Sequence, residues 1–107
     1  MADKDAWQAA VARGQYFGTV ADKQDGFIHF STKETVVESA AKHRAGVPNL
    51  VLLAVDAEVL GEQLKWEPAR GGILFPHLYG GLEPKKVTAV IDLPLGPDNR
   101  HIFPKMG

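Results

Sequence analysis

No cysteine occurs among the 107 residues, which excludes disulfides, a thiolate nucleophile and cysteine-ligated zinc or iron–sulfur sites. An excess of one charge is also lacking: 12 Lys+Arg stand against 13 Asp+Glu, a formal net charge of -1. No global field is therefore available to gather DNA, RNA or an anionic membrane. No apolar run approaches the roughly 18 residues that span a bilayer. The opening MADKDAWQAAVARG is charged and has no apolar core of the secretory type. The expectation is a cytoplasmic protein without membrane attachment, with no DNA partner and no RNA partner. Phosphate-binding and hydrolase signatures are missing too. Gly61, Gly71-Gly72 and Gly80-Gly81 fit neither a Gly-x-Gly-x-x-Gly nor a Walker loop, and Ser31 has no Gly-x-Ser-x-Gly context.

What is present is 45% hydrophobic and 23% charged sequence, enough to build one α+β domain over residues 1–107. Trp7, Ala10 and Val11 recur at helical spacing before Gly14, predicting a helix over 5–13. Residues 15–25, with Gly18, Asp22 and Asp25-Gly26, read as loop and turn leading into a strand at 27–30. Alternation along that strand places Ile28 and Phe30 on one face and Phe27, His29 and Ser31 on the other. Ser31-Thr-Lys-Glu34 matches a capping box, predicting a second helix that carries Val36, Val37, Ala40 and Ala41 toward Gly46. The continuous Leu50–Val55 run predicts a strand buried on both faces. A single helical turn is expected over 56–60, a short strand over 64–67 and a last strand over 86–93. Between the last two lies a Gly- and Pro-rich loop, 68–81, whose Ile73, Leu74, Phe75, Leu78 and Tyr79 demand burial. Two helices and several strands result.

Several side chains bear chemistry. His29 interrupts an apolar strand and suits a general base, a contact to a ligand hydroxyl or a satisfied core histidine. Ser31 shares its face, although a capping role explains it equally well. Glu67, at a strand end after Trp66, suits charge stabilisation or proton transfer, or is a surface acid. Arg70 beside two glycines suits phosphate oxygens. His77 and Tyr79 are two apart and project together if the segment is extended. His29, His77 and Glu67 could in principle form a two-histidine, one-carboxylate set for a metal, but no His-x-x-x-His spacing supports it. No metal is expected.

The segments DGFIHFS, LVLLAVDAEVL, LKWEPARGG and LFPHLYGGL, in that order, closely resemble the bacterial proteins of domain-of-unknown-function family 952, a likeness running from Trp7 to Pro104. That resemblance implies twisted β-sheets of the ADP-ribosyltransferase type, similar to the RNA 2′-phosphotransferases. IHFS then looks like the His-Leu-Ser strand motif of those enzymes. It implies that His29 contacts the ribose of NAD or an ADP-ribose-like nucleotide, with Ser31 a neighbouring contact. Tyr79 or Trp66 would stack on a ring, and Glu67 or Arg70 would handle charge. The implied cleft lies between segments 27–35 and 66–82, with His29, Glu67 and His77 catalytic and Ser31, Trp66, Arg70 and Tyr79 ligand-binding. The activity implied is ribosyl transfer or NAD cleavage; the alternative is a non-catalytic module for a small metabolite or a protein. The chain departs from the family in two respects. Members commonly open with an extra strand that MADKDAW lacks, so the sheet is expected to lose an edge or recruit other residues. Gly81 stands where proline is usual. No equivalent of the transferase glutamate or of the phosphotransferase arginines is evident.

Overall fold

Leu50-Val51-Leu52-Leu53-Ala54-Val55 alternates two sets of apolar side chains, and each set has its own core to fill. The computed structural model describes residues 1–104, apart from the side chain of Arg70. In it, Leu50–Val55 is the middle strand, β3, of a three-stranded antiparallel sheet. Its neighbours are β1 (Ala2–Asp3) and β6 (Val87–Leu93). Leu50 and Leu52 pack with Val36 and Leu93 on one side. Val51 joins Trp7, Ala10, Tyr16, Ile28, Leu78 and Leu82 on the other. Both faces are thus covered, as the unbroken apolar run predicts. The edge is also filled: Ala2 pairs with Val51 and Asp3 with Leu50, so two residues ahead of the first helix are recruited as the third strand.

The second sheet is β2 (Ile28–His29), β5 (Leu74–Leu78) and β4 (Leu64–Pro68), with β5 in the middle and all pairs antiparallel. β5 lies inside the segment expected to be loop, and the correction has a physical reason. The turn-forming residues sit only at its ends, in the 3₁₀ turn Arg70–Gly72 and at Gly80, where φ is 124°. Pro76 is tolerated in a middle strand because its ladder bond toward β2 uses its carbonyl, which accepts from the Phe30 N–H at 2.9 Å. Phe75 and Leu78 are buried as expected. Ile73 and Leu74 are about half exposed, against expectation.

Among the described residues four α-helices form rather than two. α1 (Lys4–Arg13) ends on left-handed Gly14 and buries Trp7 and Ala10, but Val11 faces solvent. α2 (Val20–Asp25) occupies the stretch expected to be loop, started by a capping box between Thr19 and Asp22. α3 (Val36–His43) begins later than Ser31 and ends before Gly46, because a Thr32–Thr35 turn precedes it, with the Thr35 hydroxyl accepting from the Thr32 N–H. The expected Ser31–Glu34 box does not form. α4 (Ala57–Leu60) is the predicted single turn, its Asp56 carboxylate accepting from the Glu58 N–H at 3.0 Å. Among the described residues no helix is long and apolar enough to cross a membrane.

The core joining the two sheets turns on Leu78, 1% exposed and paired with Ile28 and Leu64 across both flanking strands. Leu78→Ala is expected to lower stability by about 3 kcal/mol, read as a shifted urea midpoint with an unchanged m-value. A shift of only a few tenths would show that this sheet does not anchor the core.

Candidate functional site

Antiparallel pairing of β2 with β5 sets His29 directly opposite His77, and pairing of β5 with β4 sets Lys65 beside them. Strand alternation then gathers Phe27, His29, Phe75, His77, Tyr79, Lys65 and Glu67 on one face of the sheet. Ile28, Leu64 and Leu78 turn to the core on the other. The His29 and His77 ring centroids are 5.3 Å apart, inclined at 70°.

Asp22 holds His29. Its Oδ1 lies 2.5 Å from His29 Nδ1 and accepts from the His29 backbone N–H at 3.2 Å. Its Oδ2 accepts from the Thr19 N–H at 2.8 Å, while the Thr19 hydroxyl accepts from the Asp22 N–H at 3.2 Å. The carboxylate is buried, so it persists only because donors surround it. A carboxylate accepts only, which makes Nδ1 the protonated nitrogen toward it. Gly18 makes room: its φ is +90°, and a Cβ there would strike the Asp22 side chain. On the other side of the ring, the exposed Asp25 places Oδ2 3.1 Å from Nε2.

Glu67 does the same for His77. Its Oε1 is 2.9 Å from His77 Nδ1 and accepts from the Tyr79 hydroxyl at 2.7 Å. These hydrogen bonds, Tyr79's first and His77's second, hold the Glu67 carboxyl below the ordinary value of 4.5. The same bond to Glu67 raises Tyr79 above the ordinary phenol value of 10.0. Phe27 fills the space between the groups, stacked on His77 at 4.2 Å and 24° and lying 5.2 Å from the Tyr79 ring. Lys65 Nζ stands 5.4 Å from the Tyr79 ring centroid.

A cleft of about 440 Å³ opens beside this face, between α2, the residues around α3 and the sheet. Asp22, His29, Ser31, Arg44, Phe75 and His77 are among its walls. Ser31 donates to the Ser39 hydroxyl at 3.3 Å rather than capping a helix. Arg44 is held by Asp3 at 2.9 Å. Of the residues singled out in the sequence, His29, Ser31 and His77 line the cleft together. Glu67 and Tyr79 join them through His77 without lining it. Trp66 is not brought in: it projects from the opposite face of β4 to Glu67 and is half exposed. The Arg70 side chain lies outside the described residues; its backbone follows Ala69, which lines the cleft. Among the described residues no group of three or more His, Asp or Glu is placed to hold a metal ion. Sequence reasoning missed Asp22, Asp25, Phe27 and Arg44. A signal existed for the first, since Thr19-Val-Ala-Asp22 is itself a Ser/Thr-x-x-acid capping pattern.

Tyr79→Phe removes the donor that does most to lower Glu67, so the Glu67 carboxyl is expected to titrate closer to its ordinary value, as read by carbon-13 NMR. A group depressed on folding stabilises above its unfolded value, and that contribution is lost as pH falls through the folded one. The variant is therefore expected to be less stable than the unaltered chain at neutral pH and to converge with it in acid. An unmoved Glu67 titration would break the assignment of this hydrogen bond.

The comparisons place this geometry among known proteins. Residues 1–90 match the model of the family described as "Protein of unknown function (DUF952)". The crystal structure of protein CC0527 from Caulobacter crescentus, a structural-genomics target, is similar with a TM-score of 0.91 at 50% identity, covering 94% of this chain and 89% of that one. The solution NMR structure of the same protein gives a TM-score of 0.82 at 51% identity, covering 92% and 84%. Among curated proteins none matches. With residues 1–90 under the family model and 50% identity to a solved relative that covers 94% of the chain, the chain belongs to the DUF952 family.

Proposed function

We propose that the cleft binds a ribose-bearing nucleotide, NAD or an ADP-ribose-like molecule, and that His29 and His77 are the groups that meet it. The observation that supports this most is the pair of histidines directly opposite each other on neighbouring strands, each with Nδ1 turned to a carboxylate. Such rings are fixed in orientation, with Nε2 the atom turned away from the fixing carboxylate; on His29 the exposed Asp25 stands at that nitrogen, within reach of an arriving ligand. A volume of about 440 Å³ falls within the range of small-molecule sites and suits one ribosyl half of a dinucleotide. Phe30 and Phe75 give apolar wall for a flat ring, and Arg44, itself paired with Asp3, is the arginine on the wall toward which a phosphate would turn.

In this reading the sheets are a variant of the ADP-ribosyltransferase architecture, as IHFS suggests, with His29 at a ribose hydroxyl and Ser31 beside it. If the bond between ribose and nicotinamide is cleaved, its electron pair leaves on the nicotinamide nitrogen. The incoming water or hydroxyl passes its proton to His77 Nε2 as it bonds to the sugar carbon. Glu67 and Tyr79 then act through His77 by fixing its ring, rather than facing the sugar or stacking on a base. One observation favours the non-catalytic alternative: Asp25 occupies Nε2 of His29, which suits a hydrogen-bonding post better than a freely exchanging acid or base.

Titration with NAD, ADP-ribose and nicotinamide, followed by amide NMR shifts, is expected to move residues 27–35 and 75–79. His29→Ala is expected to weaken ADP-ribose binding about tenfold or more, equivalent to about 1.4 kcal/mol. Loss of NAD in the same tube makes the protein an enzyme, and saturable shifts without loss make it a binding module. No shift at millimolar ligand contradicts the nucleotide reading.

A further inference from the structure

Both nitrogens of His29 face carboxylates. Asp22 is buried and fixed on Nδ1, while Asp25 closes α2 and reaches Nε2 with a side chain 54% exposed. Asp22 is committed four ways: to Thr19 twice, through its carboxylate and its own N–H, and to His29 twice. Asp25 has only the i,i+4 contact with the ring and solvent around it. Within the cleft wall, Asp25 is therefore the acceptor that an arriving ligand can displace or recruit.

We propose that Asp25 is a specificity-determining residue: it admits a vicinal diol at His29 and refuses a phosphate monoester at the same place. This inference rests on the nucleotide reading of the cleft and names which ribose that reading takes. Two adjacent hydroxyls offer two donors to the two oxygens of one carboxylate, and either hydroxyl also reaches the imidazole. A phosphate monoester offers acceptor oxygens and negative charge. Opposite Asp22 and Asp25 it finds acceptors and negative charge again. The His29 ring, the donor nearest to both, already has its two nitrogens engaged.

The α3 side of the same cleft differs in character. His43 closes α3 and Arg44, paired with Asp3 at 2.9 Å, follows it, and both line the wall. A ligand with a diol at one end and a phosphate at the other thus has a single favourable orientation, diol toward α2 and phosphate toward α3. The carboxylate that discriminates is exposed, so water and salt screen it and the selectivity is modest rather than absolute.

The test compares adenosine 5′-monophosphate, its 2′-deoxy form and adenosine 2′,5′-bisphosphate by amide NMR titration, with the unaltered chain and with Asp25→Asn. The 5′-monophosphate is expected to shift the Asp25 and His29 amides. The 2′-deoxy and bisphosphate compounds are each expected to bind about tenfold more weakly. Asp25→Asn keeps an acceptor and removes the charge. It is expected to bring the bisphosphate to within about twofold of the 5′-monophosphate, and added salt is expected to narrow the same ratio in the unaltered chain. If the bisphosphate binds at His29 as tightly as the 5′-monophosphate, or if Asp25→Asn leaves the ratio unchanged, the specificity role is wrong and the nucleotide reading stands. If none of the three moves the His29 or His77 amides, the nucleotide reading itself fails and the specificity role falls with it.

Discussion

A single buried carboxylate ties local structure to the site. Asp22 starts α2 by closing the box with Thr19, and the same side chain holds the backbone and the ring of His29. Burying a carboxylate is costly unless donors replace the lost water, and here three N–H groups do so: one from the cap, one from the strand backbone and one from the imidazole. The cost of burial therefore becomes a constraint. α2 can form, and β2 can lie where it does, only with His29 turned toward Asp22. Gly18 belongs to the same constraint, because its positive φ and missing Cβ leave the space that the Asp22 carboxylate needs.

The sheet turns that local constraint into a site. β2 is only two residues long, and its pairing with β5 sets His29 against His77. A slip of one residue would exchange Ile28 for His29 in the core and is opposed by the buried contacts of Ile28 and Leu78. The packing of one face thus fixes the chemistry of the other. Phe27 adds to this by stacking on His77 and lying 4.6 Å from His29, so both rings are braced by an apolar side chain as well as by carboxylates. Asp22 and Glu67 play equivalent parts from different elements, one from a helix and one from the strand on the far side of β5. Exposure separates them: Asp22 is buried, whereas Glu67 is about one-third exposed and gains its low titration from the Tyr79 and His77 hydrogen bonds.

Much of this was legible in the sequence where periodicity and punctuation agreed. The β3 run, the first helix ending on Gly14, the turn after Asp56 and the face shared by Phe27, His29 and Ser31 all follow from spacing alone. The same local signature misled once and was overlooked once. Ser31-x-x-Glu34 and Thr19-x-x-Asp22 both fit a capping box, but only the second forms. What separates them is tertiary: Asp22 meets His29, while Ser31 meets Ser39, and neither partner is visible in a short window. By composition the glycines and prolines of residues 68–81 point to a loop; by position most of them bracket β5, and its one internal proline uses only its carbonyl toward β2. Glu67, His77 and Tyr79 were each identifiable by type. Their union into one hydrogen-bonded group depends on the β4–β5 register, which composition does not encode. Trp66 shows the converse, since alternation from Glu67 already places it on the opposite face.

The central claim is that two histidines face one cleft with their Nδ1 atoms donated to carboxylates. Long-range proton–nitrogen correlation of the imidazole rings, in mildly alkaline buffer, reads it most directly. The account predicts that His29 and His77 both carry the proton on Nδ1. A neutral ring with a bare Nδ1 and a protonated Nε2 at either position would contradict it, because Asp22 or Glu67 would then not be accepting from that ring.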